Sequence, residues 1–228
     1  MRRLTLLAPL LLLAGAACGG SGGGTTTPVQ ATVHDIQTGT VTAGRQVILA
    51  DVVVMAISAT GDRVWVSDAL AASARSGVEV YRGSNPGALS AGVGDHIRVE
   101  GTVQEFGQGA GGTVTQVASP TIVGVSLATG APAPVSGVDL AAITLNTGGE
   151  DYEGVLVQLV NVKVAGTAPY TFTDGTTTFG AGQQVISLSD AVGTCYATLT
   201  GIWNYDVVAD AWIIVPVPGG LVPGNSCS

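Results

Sequence analysis

Lysine occurs once in this sequence, at Lys163, and histidine twice, at His34 and His96. Only 11% of the residues are charged and 5% are aromatic, and the formal net charge is −8. A chain so poor in basic groups has little with which to displace counterions from phosphate, so generic nucleic-acid binding is disfavoured. Two histidines and the absence of any Cys-x-x-Cys leave no zinc ligand set. There is no phosphate-cradling P-loop and no His-Glu-x-x-His. The shortage of Lys, Glu and Arg also speaks against long helices.

What is abundant is Gly, Val, Thr and Ala. Hydrophobic residues make up 46% of the chain, enough for a packed core, and the 34 glycines break it into short segments. β-Branched residues between glycine turns read as short strands on a half-buried sheet.

Arg2 and Arg3 precede an apolar stretch over residues 4–17 that ends in small residues. A basic start, a short apolar core and a small-residue cut site are expected to form a signal peptide over residues 1–17. The run Leu13-Ala14-Gly15-Ala16-Ala17-Cys18 resembles a bacterial lipobox, with Gly15 where Leu is usual. That resemblance implies a lipid on Cys18 and a membrane anchor. The rival reading is ordinary cleavage that leaves Cys18 a free thiol. Residues 18–30, rich in Gly and Thr and uncharged, read as a tether. Gly19 after the cysteine resembles lipoproteins sorted to the bacterial outer membrane.

The remaining cysteines, Cys195 and Cys227, form an even pair in a chain expected to be exported, which reads as a disulfide. Two separate buried thiols are the alternative.

The Ala-, Pro- and Gly-rich stretch 128–137 reads as a linker between two comparable halves, 31–127 and 138–228. In the first half, strands are expected over 47–57, 63–68, 77–81, 94–106 and 113–117. In the second they are expected over 150–162, 170–174, 184–188, 196–204 and 212–216. Val99-Glu100-Gly101-Thr102-Val103 lines up with Leu199-Thr200-Gly201-Ile202-Trp203, each with a mid-strand glycine suited to a bulge.

Four segments carry a resemblance: His34-Asp35-Ile36-Gln37, Val64-Trp65-Val66-Ser67-Asp68, Gly77-Val78-Glu79-Val80-Tyr81 and Gly94-Asp95-His96-Ile97-Arg98-Val99-Glu100-Gly101. The first half resembles the OB-fold domain that accompanies secreted bacterial nucleases. The second, through Tyr152-Glu153-Gly154-Val155-Leu156-Val157, resembles the segment that often follows it. The resemblance implies an all-β fold of two small OB-like five-stranded barrels in tandem. The nuclease domain itself has no counterpart in this sequence.

One face is a candidate for binding. Val64, Val66, Val78 and Val80 alternate inward, which sends Trp65, Glu79 and Tyr81 outward, with Arg63 and Arg82 at the strand ends. An OB barrel uses such a face to stack bases or sugars, so Arg63, Trp65, Tyr81 and Arg82 form the candidate ligand face. The competing expectation is that Trp65 packs under a loop or against the second half. Asp95 and His96 are adjacent on a strand and point to opposite faces. Glu150, Asp151 and Glu153 suggest calcium or, more simply, a strand entry. Asp206 and Asp210 flank a hairpin turn, where aspartate bonds local backbone.

These observations favour a non-catalytic cell-envelope lipoprotein that acts as a binding or assembly module without cofactor or metal. The expected partners are a membrane through the lipid, an envelope protein or glycan, and single-stranded nucleic acid only weakly. The alternative is a nucleic-acid-binding accessory module working with a separate extracellular nuclease.

Overall fold

The computed structural model describes residues 27–68, 72–107, 112–126, 130 and 132–227. The proposed leader, Cys18 and most of the tether lie outside the described residues, as do 128, 129 and 131 of the proposed linker. What is described is mostly strand, arranged as two six-stranded sheets in tandem.

The first half runs β1 (Val29–Gln30), α1 (Val33–Gln37), β2 (Gln46–Ile57), β3 (Arg63–Ser67), β4 (Gly77–Tyr81), β5 (His96–Phe106) and β6 (Val114–Ser126). Its order is β1-β2-β3-β4-β6-β5, and β5 also pairs with β2, so the ladder returns to where it began. The β4–β6 pairing is parallel, whereas β2–β3, β3–β4, β5–β6 and β2–β5 are antiparallel. β1 lies within the stretch expected to be tether, yet it pairs in parallel with β2, so the sheet begins earlier than the composition suggested.

Helix α1 starts at a capping box. Asp35 donates its backbone N–H to the Thr32 hydroxyl, and the Asp35 carboxylate accepts from the Thr32 N–H. The Asp68 carboxylate then takes the Val33 and His34 N–H groups at 2.8 and 2.9 Å, tying the helix to the end of β3.

The second half repeats the plan with β7 (Val135–Ser136), α2 (Leu140–Ile143), α3 (Asn146–Gly149), a 3₁₀ turn (Glu150–Tyr152), β8 (Leu156–Thr167), β9 (Tyr170–Thr173), β10 (Thr178–Ala181), β11 (Cys195–Asp206) and β12 (Ala211–Pro223). Its order is β11-β12-β10-β9-β8-β7 with β11 also paired to β8, and β10–β12 is again parallel. Two expected strands differ from this. Residues 150–152 form the 3₁₀ turn, so β8 starts later. The third strand is Thr178–Ala181 and not 184–188: the Leu188 N–H is taken by the Gln183 side chain at 2.9 Å, so that segment has a local partner in place of a ladder.

The two aligned glycines do the same work in both halves. The β5–β6 register shifts between Glu100 and Thr102, and the β11–β12 register shifts between Leu199 and Gly201. A Cβ on Gly101 would sit 2.6 Å from Val117 Cγ1, and one on Gly201 would sit 2.6 Å from the Val215 carbonyl oxygen. Only a residue without a side chain lets the strand bend there. Cys195, at the start of β11, and Cys227 stand at disulfide distance, with Cα atoms 5.6 Å apart.

The halves meet along a seam. Met55, Ala56 and Trp65 of the first pack on Leu156, Ile202, Ile213 and Val215 of the second. Backbone bonds stitch its margins: Ala59 N–H to the Gln184 carbonyl at 2.7 Å, Ala72 N–H to the Ala133 carbonyl at 2.9 Å, and Arg75 N–H to the Asp151 carbonyl at 2.7 Å. Arg75 also pairs with the Asp151 carboxylate at 2.5 Å. Gly77 and Gly154 lie backbone to backbone, leaving no room for a side chain on Gly77.

Candidate functional site: a cleft at the seam

The alternation read from β3 and β4 holds. Val64, Val66, Val78 and Val80 enter the first core, and the other face carries Trp65 opposite Glu79 and Arg63 opposite Tyr81. That face is not open. Trp65 is 0% exposed, covered by β11 and β12 of the second half, so it cannot offer its ring to a base or sugar.

The other three members of the expected face have separate places. Arg63 donates from Nε to Glu79 at 3.1 Å, with its guanidinium 5.8 Å from the centre of the half-buried Tyr81 ring. Arg82 donates to the Gly61 and Gly87 carbonyls, each at 2.6 Å, and so braces two loops. The structure therefore brings Arg63 and Tyr81 together, seals Trp65 beneath the seam and assigns Arg82 to the backbone.

A cleft of ≈ 360 Å³ opens where the β5–β6 and β11–β12 hairpins approach each other. Arg63, Glu79, Phe106, Val114, Asn204 and Tyr205 are among the residues that line it. Glu79 is the central polar group. Burial pushes its carboxyl above the ordinary range, while Arg63 and the Asn204 amide pull it back down. Asn204 donates from Nδ2 to Glu79 Oε2 at 3.3 Å, so a carboxylate of the first half is held by an amide of the second. The Tyr205 hydroxyl is bonded to Asp210, and its ring packs edge-on against Trp212 at 5.1 Å. Sequence reading missed Glu79 and Asn204 as a pair. A charged residue alternating with valines on a strand was the available signal, but its partner lies 125 positions away.

A second carboxylate is also buried. Glu153 is 1% exposed and accepts the Thr115 N–H at 3.0 Å on Oε1, while Oε2 has no partner. Burial, and then the neighbouring Glu150, hold its carboxyl well above the usual carboxylate range; the Thr115 bond opposes them. Gln37 donates to the Gly77 carbonyl at 2.6 Å and to the Glu153 carbonyl at 3.4 Å, joining α1 to both halves.

The remaining sequence candidates are local. His96 bonds Asp51 at 2.7 Å, and the Asp95 carboxylate takes the Gly92 N–H. Asp206 caps its own hairpin turn through the Val208 and Ala209 N–H groups. Among the described residues, no group of three or more His, Cys, Asp or Glu side chains gathers as a metal-binding set. No helix among them is long and apolar enough to cross a membrane. An apolar groove of ≈ 490 Å³, lined by Met55, Val93, Pro132, Pro134 and Leu156, lies elsewhere along the seam.

Searches of protein-family models, curated proteins and solved structures found no match to this chain.

Proposed function

We propose that this chain is a non-catalytic, exported cell-envelope lipoprotein whose two halves are OB-like barrels fused into one binding or assembly module. The observation that carries the reading is the strand circuit. In each half a five-strand ladder returns to its first strand through one parallel pairing, β4–β6 or β10–β12, which is the plan of a small Greek-key barrel. The leader and lipobox-like run supply the export and anchoring part, and the Cys195–Cys227 pair suits an oxidising compartment.

A module of this kind presents its seam, because the second half occupies the face on which an isolated barrel would take a ligand. The covered Trp65 and the net charge of −8 weigh against the accessory role beside a nuclease.

The test is fractionation of cells that express the parent and Cys18→Ser, combined with assays of the purified chain. The parent should be membrane-bound and the variant released. Neither should turn over nuclease, phosphatase or glycosidase substrates with any divalent metal. Retention of the variant on the membrane would remove the anchor, and turnover would remove the non-catalytic role. Tight single-stranded DNA binding that persists at moderate salt would favour the accessory module.

A further inference from the structure

We propose that the end of the molecule where the β5–β6 and β11–β12 hairpins meet rests on a zwitterionic lipid surface, with Phe106, Leu145 and Val208 turned into its headgroup layer. The proposal rests on the reading of the chain as a lipoprotein and names the face that the anchored module sets against the membrane.

The first reason is where the tether joins the fold. β1 runs parallel to β2 with Val29 opposite Val47, so the chain enters at the Arg45 end of β2. The Arg45 carbonyl accepts the Val103 N–H of β5 at 2.9 Å, and Phe106 follows three positions later at the end of that strand. Two strand spacings of about 4.8 Å and three residue rises of about 3.3 Å put Phe106 roughly 15 Å from the entry point. Thr27 stands nine positions after Cys18, a reach of at most roughly 30 Å. Phe106 therefore lies well within one tether length of a lipid on Cys18. Val93, just before the other end of β5, lies about 25 Å back along the barrel, which would draw the tether to nearly its full length.

The second reason is what that end exposes. Phe106 is 51% exposed, and Val208, on the β11–β12 turn, is 92% exposed. The two hairpins touch, since a Cβ on Gly107 would sit 2.5 Å from Val207 Cγ1. Leu145, 62% exposed, joins them, because its neighbours Thr144 and Asn146 line one hollow with Asp210 and Ala211 of the same turn. Three large apolar side chains from three distant parts of the sequence, exposed at one end, mark a contact surface. A protein partner would use the same side chains; the tether entry beside them favours the bilayer.

The acids of this end are turned to local bonds. Asp206 caps its turn, Asp210 takes the Tyr205 hydroxyl, and Glu105 accepts from Thr113 and Thr115. With a net charge of −8, the chain is repelled by an anionic leaflet and not by a zwitterionic one. Arg45, exposed at the tether entry, is placed to meet a headgroup phosphate.

The experiment uses the lipidated mature chain in phosphatidylcholine vesicles, with or without bromine on the acyl chains near the headgroups. Trp65, Trp203 and Trp212 are buried, so their emission forms a constant background. Val208→Trp and Val93→Trp each place a reporter at an exposed valine, one on either end. Val208→Trp should lose at least half of its added emission to brominated lipid, and Val93→Trp almost none. Adding Phe106→Ser and Leu145→Ser to Val208→Trp should restore at least half of the lost emission. Both side chains are exposed, so the thermal midpoint should not move. Partial replacement of the lipid by phosphatidylglycerol should weaken the quenching at low salt.

Equal quenching at both positions, none at Val208→Trp, or quenching that survives the serine substitutions overturns the proposal. So does stronger quenching with phosphatidylglycerol. Dimerisation of the Cys18→Ser protein that the serine substitutions abolish would assign the face to a second copy and overturn it too. The mass of the N-terminal peptide decides the anchor separately. Unmodified Cys18 removes the lipoprotein reading and this proposal with it, whereas lipidated Cys18 without quenching at Val208→Trp removes the proposal alone.

Discussion

The two halves share one ladder order and fill it differently. The first core is built from Val, Leu and Ile, and no aromatic ring belongs to it among the described residues. The second is built around rings: Phe172 stands 5.5 Å from Tyr170 and 6.0 Å from both Phe179 and Tyr196, and Phe179 stands 5.9 Å from Trp203. Strand pairing therefore does not demand one style of core. β-Branched side chains fill the first interior by density of small contacts, while the second adds larger groups in edge-on and tilted contacts. The first half's tryptophan, Trp65, leaves its own core altogether and serves the seam.

That contrast can be broken most directly at Trp65. Trp65→Ala should cost about 3–5 kcal/mol, as large-to-small core changes do. It should also split one unfolding transition into two in calorimetry and expose the linker to protease before either half is cut. A single, merely lowered transition would show that the margin bonds alone couple the halves.

Phe172→Ala should cost a similar ~3–5 kcal/mol, whereas Val99→Ala should cost less, about 1–3 kcal/mol, because a smaller side chain leaves a smaller void. Urea titration of both variants tests whether the aromatic core is the more sensitive one.

Reduction separates the halves in another way. Cys195 and Cys227 are 32 positions apart, so opening that link should lower stability by about 3–4 kcal/mol in the chain-entropy model. The loss should fall on the second half. Hydrogen exchange with and without reductant should show β11 and β12 opening while β2 and β5 keep their protection.

Gly77→Ala probes the backbone contact with Gly154. Overpacking of this kind costs about 1–3 kcal/mol. Because the clash lies between the halves, the variant should weaken their coupling more than either interior.

The smallest effect concerns Glu153. Its folded-state carboxyl titrates well above the 4.5 of an unperturbed group, so the folded chain holds that proton more tightly than the unfolded one. Stability from protonated Glu153 is therefore complete below about pH 4.5 and is lost as pH rises through the raised folded value. Glu153→Gln keeps an oxygen for the Thr115 N–H and carries no charge. Its stability relative to the parent should rise with pH, as read by urea midpoints across that window. Glu79 is present in both proteins and cancels in the difference. A constant offset at all pH values would show that Glu153 does not titrate there.

Much of the first half was legible because Val64, Val66, Val78 and Val80 alternate along their strands and the segment 94–106 alternates with polar residues, and because 47–57 is a long apolar run. The third strand of the second half was not, because Thr178-Phe179-Gly180-Ala181 carries one large apolar side chain while 184–188 carries three, Val185, Ile186 and Leu188. The outward direction of Trp65 was legible, but what covers it was not, since Ile202, Ile213 and Val215 come from the far end of the chain. Likewise, nothing near Glu79 in sequence announced Asn204. Local periodicity reports which way a side chain points, and only the tertiary arrangement decides whether it meets water there.

The late position of those covering residues also sets a timetable. A chain emerging from its N-terminus completes β2 through β6 while β11 and β12 are still to come. During that interval Met55, Ala56 and Trp65 form an uncovered apolar patch, the kind of surface that captures neighbouring nascent chains or a chaperone. A stop anywhere before Leu156 would leave that patch permanently bare, and one before Ile213 would leave it only partly covered, so C-terminal truncation should aggregate the half it leaves intact.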